Sequence, residues 1–175
     1  LYSERLSGLL CDDMGLGKAI QTLSYLLGLK EAGLLDKPAL IVVPTSLLGN
    51  WQVEAKTYTP ELNIVLFHGR QRNQNQWTNV DLVVTSYGMV QRHRQLFWDM
   101  SFSHIILDEA QLIKNFQSQK AQVLKKCQAP IRLCLSGTPM ENHLGELWSL
   151  MDFAVPDLLG SRQHFRKNIQ QAIEQ

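Results

Sequence analysis

A stretch near the start of the chain, DDMGLGKAIQTL at 12–23, has the residue types of a phosphate-binding loop that runs into a helix. Gly15 and Gly17 would let the backbone turn tightly enough for its N–H groups to converge on phosphate oxygens. The helix N-terminus would add positive potential, and Lys18 would place its ammonium group on the outer phosphates. Read alone, the stretch leaves an alternative open, a glycine-rich turn between a strand and a helix that binds no nucleotide.

The stretch departs at two positions from the usual pattern G-x-x-x-x-G-K-[ST]. Asp12 stands where the first glycine is usual, and Ala19 stands where a Ser or Thr hydroxyl normally binds magnesium. Because Mg²⁺ keeps several water ligands, a water could take the place of that hydroxyl. A loss of about 1–3 kcal/mol would lower affinity or rate by roughly five- to 150-fold, which weakens the site without abolishing it. Thr22 follows one turn later, and we expect it to lie too far from the phosphates to substitute.

A second acidic stretch supplies what a phosphate loop needs in order to hold metal and activate water. The sequence HIILDEAQ at 104–111 delivers Asp108 and Glu109 at the end of an apolar strand. Ligands of open α/β sheets bind at the carboxyl ends of the strands, so both side chains belong at such a site. Asp108 would hold magnesium directly or through water, and Glu109 would orient and deprotonate the attacking water. An exposed acidic turn is the alternative for these two residues taken alone.

A third polar stretch, LCLSGTPMEN at 133–142, follows the last apolar strand. Ser136 and Thr138 could contact both the acidic turn and the terminal phosphate, while Gly137 and Pro139 shape the turn. An ordinary β-turn would also explain this stretch. Gln111 follows the acidic pair on the same turn, which makes it a candidate for coupling nucleotide state to Ser136 and Thr138.

Apolar runs alternate along the chain with helix-like segments, which predicts an α/β fold with a parallel sheet and helices on both faces. Each run is nearly continuous in Val, Ile and Leu, as strands covered on both faces should be. The predicted strands are 6–11, 39–44, 63–68, 81–86, 104–109 and 131–137, and the predicted helices are 17–32, 46–57, 87–97, 117–127, 144–153 and 161–173.

Composition excludes some classes of protein. The chain has 175 residues, 45% of them hydrophobic, and no apolar run reaches the 18 residues that a membrane span needs, so we expect no membrane partner. The three cysteines have no metal-ligand spacing, and we expect them to be buried, reduced thiols. Net charge is +1, but the stretch 62–98 is basic, with Arg70, Arg72, Arg92 and Arg94 against Asp81. This stretch predicts either a solvated basic face or a groove for a phosphate backbone.

Taken together, these stretches resemble the motifs of the SWI/SNF-type ATPases of helicase superfamily two. DDMGLGKAIQTL resembles motif I, in which the family shares the leading Asp, and LIVVPTSLLGNWQVE at 40–54 resembles motif Ia. VVTSYG at 83–88 is similar to motif Ib, DEAQLIKN at 108–115 to motif II and LSGTPMEN at 135–142 to motif III. The segment LGELWSLMDFAVPDLLGSRQHF at 144–165 is similar to the one that leaves the first lobe. Six stretches in order cover nearly the whole chain.

The resemblance implies a RecA-like first lobe of an ATP- and Mg²⁺-dependent motor that translocates on double-stranded DNA. It assigns Lys18 to the phosphates, Asp108 to the metal and Glu109 to water activation, and it makes Ser46 and Ser86 DNA-backbone contacts. Phosphate contact suits a motor because it must step on any sequence. The nucleotide-binding residues would be Asp13, Met14, Gly15, Leu16, Gly17, Lys18 and Ala19.

The resemblance also sets expectations for organisation. We expect the RecA-like lobe at 1–153 and the start of a helical extension toward a second RecA-like lobe at 154–175. Because the arginine fingers belong to that second lobe and supply about 10³- to 10⁵-fold in comparable sites, we expect negligible turnover from residues 1–175 alone. We expect a cytoplasmic, nucleoid-associated protein of a bacterium, or a nuclear protein if the source is eukaryotic. Two alternatives stay open, a degenerate nucleotide-binding scaffold, because of Ala19, and an RNA-directed helicase.

Overall fold

The computed structural model describes residues 7–12, 17–69, 77, 79–139 and 144–170. Its sheet has six strands in the order β1-β6-β5-β2-β4-β3, and every pairing is parallel. The parallel α/β fold predicted from the apolar runs is thus confirmed, and each strand lies inside its predicted range. The strands are β1 Gly8–Cys11, β2 Ala39–Val43, β3 Ile64–Phe67, β4 Leu82–Ser86, β5 His104–Leu107 and β6 Ile131–Ser136.

The helices follow the predicted segments with two differences. The segment predicted as one helix at 87–97 forms two helices, because His93 (φ −109°, ψ 32°) leaves the helical conformation. The final segment is a short α-helix that continues as a π-helical turn at Arg166–Gln170. Single 3₁₀ turns stand at Thr45–Leu47 and Ala110–Ile113. The α-helices are α1 Lys18–Glu31, α2 Leu48–Tyr58, α3 Tyr87–Arg92, α4 Arg94–Trp98, α5 Gln119–Lys125, α6 Leu144–Ala154 and α7 Arg162–Phe165.

The central strands bury both of their faces, as the apolar runs require. Successive residues of a strand point to opposite sides of a sheet. In β2, Leu40 and Val42 join the core that contains residues of α3, α4, α5 and α6. Ala39, Ile41 and Val43 join the core that contains residues of α1 and α2. A strand covered on both faces gains from an apolar residue at every position, which is why its sequence does not alternate.

The strand order brings four chain segments to one edge of the sheet. β1 lies beside β6, β6 beside β5, and β5 beside β2, all pointing the same way. The segments that follow the carboxyl ends of these strands are therefore neighbours. They include the start of α1, the turn after β6, the acidic pair after β5 and the 3₁₀ turn after β2.

Several sequence predictions away from this edge can be compared with the structure. Cys127 and Cys134 are buried free thiols as predicted, but Cys11 is exposed, because it ends a strand at the margin of the sheet. His104 is fully buried between Tyr25 and Ser103, and burial lowers its pKa to about 4. Trp77 is only 8% exposed and packs in the core. Within the described part of the chain, no helix is long and apolar enough to cross a bilayer.

Candidate functional site

The lysine of the predicted phosphate loop and the acidic pair line one cavity at the carboxyl edge of the sheet. The cavity has a volume of about 320 Å³. Lys18 reaches it from the start of α1, while Asp108 and Glu109 reach it from the end of β5. The two halves of the predicted site therefore face the same space. The full lining is Gly17, Lys18, Ala19, Ile20, Leu47, Glu54, Asp108 and Glu109.

The start of α1 has the backbone geometry that the phosphate loop predicts at its last glycine. Gly17 precedes the helix in the left-handed conformation, with φ 74° and ψ 30°. A residue with a Cβ pays about 1–2 kcal/mol in this conformation, so glycine suits the position. Lys18 is 9% exposed, and its Nζ donates to the backbone oxygen of Asp12 at 2.8 Å. The other predicted nucleotide-binding residues of the loop, Asp13, Met14, Gly15 and Leu16, lie outside the described residues.

Ala19 lines the cavity but has no hydroxyl, and the next residue of α1 that carries one is Thr22. Thr22 is buried, and its hydroxyl donates to the backbone oxygen of Lys18 at 2.8 Å. Its side chain lines a separate, largely apolar cavity beside β1 and β6. Thr22 therefore lines a different cavity from Lys18, Asp108 and Glu109, and its inability to replace the hydroxyl that Ala19 lacks stays a prediction.

Asp108 is held on three sides by hydrogen bonds. Its Oδ2 accepts from Trp51 Nε1 at 2.8 Å, and its Oδ1 accepts from the Glu109 backbone N–H at 2.9 Å. The Tyr87 hydroxyl donates to the Asp108 backbone oxygen at 2.7 Å. Burial raises the pKa of Asp108 above its ordinary value, and the neighbouring charge of Glu109 adds to the rise. The hydrogen bonds from Trp51 and the Glu109 amide and the charge of Lys18 offset only part of it. A carboxylate with two fixed donors presents its remaining lone pairs in a defined direction.

Glu109 adopts a backbone conformation that is unusual for a residue with a side chain. Its φ of 49° and ψ of 50° lie in the left-handed region. Such strain costs about 1–3 kcal/mol and concentrates at functional sites. The conformation starts the 3₁₀ turn Ala110–Ile113 and directs the chain so that Gln111 lies beside Glu109.

The three predicted coupling residues form one hydrogen-bonded chain that begins at Glu109. The side-chain amide of Gln111 donates to Glu109 Oε2. The Ser136 hydroxyl donates to Gln111 Oε1 at 2.8 Å, and the Thr138 backbone N–H donates to the Ser136 oxygen at 3.1 Å. The structure therefore joins the acidic pair after β5 to the turn after β6, which is the proximity that the sequence predicted.

The two predicted DNA contacts have different environments. Ser46 is exposed in the 3₁₀ turn after β2. Ser86 is 3% exposed, and its hydroxyl accepts from the Met89 backbone N–H as the cap of α3. The Ser86 side chain thus serves the fold, and its contact with DNA stays an untested prediction. Arg70 and Arg72 of the basic stretch lie outside the described residues.

Three residues of this site received no role in the nucleotide site from the sequence. Trp51 is 2% exposed and packs in the core, and its indole N–H also donates to Asp108. Glu54 lines the cavity one turn further along α2, and Tyr87 holds the Asp108 backbone. The spacing of Trp51 and Glu54 places them on one face of a helix that follows a central strand. That pattern is the signal that could have identified both.

Comparison with known proteins gives consistent matches over the whole chain. A family model described as "SNF2-related domain" matches residues 1–175. The Bacillus subtilis protein YwqA is 42% identical over 170 residues, which cover 94% of this chain and 18% of the relative. The ISWI chromatin-remodeling complex ATPase ISW2 of Saccharomyces cerevisiae is 38% identical over 172 residues, which cover 94% of this chain and 15% of the relative.

A solved structure gives the same result. The Sulfolobus solfataricus SWI2/SNF2 ATPase core in complex with dsDNA superposes with a TM-score of 0.91 at 34% identity. The match covers 99% of this chain and 36% of that one. The chain therefore spans less than a fifth of the two curated relatives and about a third of the solved core.

Proposed function

We propose, on the premise that the chain belongs to the SNF2-related domain family, that it is the ATP-binding lobe of a motor that translocates on double-stranded DNA. One observation carries the proposal, the shared cavity of Lys18, Asp108 and Glu109. An ammonium group and two carboxylates at the carboxyl edge of a parallel sheet match what a magnesium–triphosphate group needs. Relatives named as ATPases and helicases support nucleotide hydrolysis as the reaction of the whole protein.

Each residue of the cavity has a role in this proposal. Lys18 binds the outer phosphates, and the residues preceding it supply backbone N–H groups. Asp108 holds Mg²⁺, which when bound neutralises the charge that develops on the phosphates. Glu109 orients the attacking water and accepts its proton. Gln111 transmits the position of Glu109 to Ser136 and the turn after β6.

The nucleic-acid partner in this proposal is duplex DNA, bound through its phosphate backbone. The solved SWI2/SNF2 core that superposes on this chain is a complex with dsDNA, which supports duplex DNA over RNA. Ser46 is exposed beside the cavity edge of the sheet and can donate to a phosphate oxygen. Contacts of this kind carry no sequence preference, which a translocating motor requires.

We further propose that residues 154–175 begin an extension toward a second RecA-like lobe. The active site would then be completed by arginine side chains of that lobe, which supply about 10³- to 10⁵-fold in comparable phosphoryl-transfer sites. Residues 1–175 alone would hydrolyse ATP at a negligible rate. Motor-like turnover by the purified fragment would contradict this part of the proposal.

A degenerate nucleotide-binding scaffold is the second candidate, because Ala19 lines the cavity where a metal-binding hydroxyl is usual. The charged residues of the site argue against it, since Lys18, Asp108 and Glu109 are all present. The two candidates differ in whether the full-length protein turns ATP over.

The test is ATP hydrolysis by the full-length protein with no nucleic acid, with duplex DNA and with RNA. We expect stimulation by duplex DNA, a further increase for Ala19→Thr and loss of activity for Glu109→Gln. Leu34→Ala is the control, since this partly exposed residue lies in the loop after α1, away from the cavity. Inactivity of the natural protein together with strong activity of Ala19→Thr would establish the scaffold, and stimulation by RNA alone would establish the RNA-directed alternative.

A further inference from the structure

Helix α2 connects the predicted DNA contact to the proposed metal-binding carboxylate. The helix follows directly after the 3₁₀ turn Thr45–Leu47, where Ser46 is exposed. Its first turn carries Trp51, which is 2% exposed and donates its indole N–H to Asp108 Oδ2 at 2.8 Å. Helix α2 thus begins beside an exposed turn and carries a side chain, Trp51, that contacts the carboxylate of Asp108.

The indole N–H of Trp51 orients the carboxylate of Asp108. Asp108 is 8% exposed, so its carboxylate has few water molecules available to orient it. Trp51 fixes one oxygen of this carboxylate and the Glu109 amide fixes the other, at 2.8 and 2.9 Å. Opposed donors on the two oxygens prevent the carboxylate from rotating. Groups that orient a metal ligand in this way affect metal affinity about 10- to 100-fold.

A second contact shows the same connection from the neighbouring strand. Tyr87 begins α3 directly after β4, and its hydroxyl donates to the Asp108 backbone oxygen at 2.7 Å. β5, β2 and β4 are adjacent in the sheet, so the segments that follow β2 and β4 both reach the residue that follows β5. Of the two predicted DNA contacts, Ser46 lies in the segment that follows β2, and Ser86 is the last residue of β4, directly before Tyr87.

We propose that Trp51 is a positioning residue for Asp108 and that α2 transmits duplex DNA binding at the Thr45–Leu47 turn to the metal site. The inference rests on the proposed function, because it assigns the metal to Asp108 and the DNA phosphates to the turn. It adds a residue that touches neither the nucleotide nor the DNA. Replacing Trp51 should therefore change the affinity for the metal and the extent to which duplex DNA alters that affinity.

The experiment measures Mn²⁺ binding to the full-length protein in the presence of ADP, by the electron paramagnetic resonance signal of free Mn²⁺. Trp51→Phe keeps an aromatic ring in the core and removes the N–H. We expect its Mn²⁺ dissociation constant to rise about 10- to 100-fold, while its affinity for metal-free ADP stays near that of the natural protein. Val53→Ala is the matched control, because this residue lies on the same helix and is 64% exposed.

The same titration with saturating duplex DNA tests the coupling. We expect duplex DNA to change the Mn²⁺ affinity of the natural protein by at least about fivefold. In Trp51→Phe, we expect duplex DNA to have little effect on the Mn²⁺ affinity. If far-ultraviolet circular dichroism shows that Trp51→Phe is misfolded, benzothienylalanine at position 51 replaces it. This analogue keeps the bicyclic shape and lacks the N–H.

The outcomes separate the inference from the function on which it rests. Equal Mn²⁺ affinity of the natural and Trp51-substituted proteins would overturn the positioning role. The transmission through α2 would be overturned if duplex DNA changed the Mn²⁺ affinity of the substituted protein as much as that of the natural protein. It would also be overturned if duplex DNA left the Mn²⁺ affinity of the natural protein unchanged. Failure of the natural protein to bind Mn²⁺ with ADP would overturn the proposed function and this inference together.

Discussion

Replacing Gln111 by Ala should separate catalysis from nucleotide binding, because this residue joins the carboxylate of Glu109, the proposed catalytic base, to the turn after β6. Its amide donates to Glu109 Oε2 and accepts from Ser136 Oγ at 2.8 Å. A hydrogen bond to a charged group contributes about 1.5–3 kcal/mol. If that stabilisation is made in the transition state, its loss slows turnover roughly 10- to 150-fold. The loss also leaves Ser136, which is 1% exposed, without its acceptor.

The assay compares DNA-stimulated ATP hydrolysis with equilibrium binding of a fluorescent nucleotide, both on the full-length protein. We expect Gln111→Ala to lower kcat within the range above and to leave nucleotide affinity nearly unchanged, since Gln111 does not line the cavity. Gln111→Glu should be at least as harmful, because it places a second negative charge beside Glu109. Gln117→Ala is the control, as this exposed residue lies on the same connection between β5 and α5.

Two results would refute the reasoning about Gln111. Equal losses of affinity and turnover would mean that the residue supports the cavity rather than the reaction. If Gln111→Ala hydrolysed ATP as fast as the natural protein, Glu109 would need no hydrogen bond from Gln111 to hold its position. A double variant with Ser136→Ala adds a further check, because residues in one hydrogen-bonded chain should give non-additive losses.

Three further predictions concern single residues around the same edge and core. Gly17→Ala should weaken nucleotide binding roughly five- to 30-fold, because the φ of 74° costs a residue with a Cβ about 1–2 kcal/mol, while no atom of the described residues lies within 4 Å of the added Cβ. An unchanged affinity would contradict the assigned loop geometry. Thr22→Val should leave nucleotide affinity unchanged, because the hydroxyl donates to the Lys18 backbone oxygen, whereas a clear loss of metal-dependent binding would place that hydroxyl at the metal. His104 is neutral when folded, since burial lowers its pKa from 6.5 to about 4, so the unfolded chain binds the additional proton and stability falls as pH drops through this window. The loss should reach about 2 kcal/mol between pH 7.5 and pH 5, and urea unfolding of His104→Gln should lack this component.

The sequence predicted the sheet well because each central strand is covered on both faces. Continuous runs such as ALIVV in β2 have few other stable placements, and the turn residues between the runs mark their limits. The same logic failed at His93, because nothing in the local pattern distinguishes one helix of eleven residues from two short helices. It failed at Cys11 because a strand's apolar run does not reveal that the strand lies at the margin of the sheet.

The site was predictable only in part, because several of its contacts join residues that are far apart in the sequence. Lys18 and Asp108 could be placed together because strand ends define one edge of a parallel sheet. The hydrogen bond from Trp51 to Asp108 joins residues 57 positions apart, and no local periodicity encodes a contact of that kind. Tyr87 likewise reaches Asp108 across an intervening strand. Strand order sets these pairs, and strand order is fixed by the packing of the whole sheet.

The charges around the cavity bear on whether Ala19 disables the proposed site. Among the described lining residues, the carboxylates of Glu54, Asp108 and Glu109 face one ammonium group, that of Lys18. This excess of negative charge favours a nucleotide that arrives with its divalent cation over one that arrives without it. The missing Ser or Thr hydroxyl is neutral, so its replacement by Ala19 removes one ligand and leaves the attraction for the cation intact. A site whose metal is drawn mainly by carboxylates should lose affinity when the hydroxyl is absent, yet still bind and turn over the metal complex.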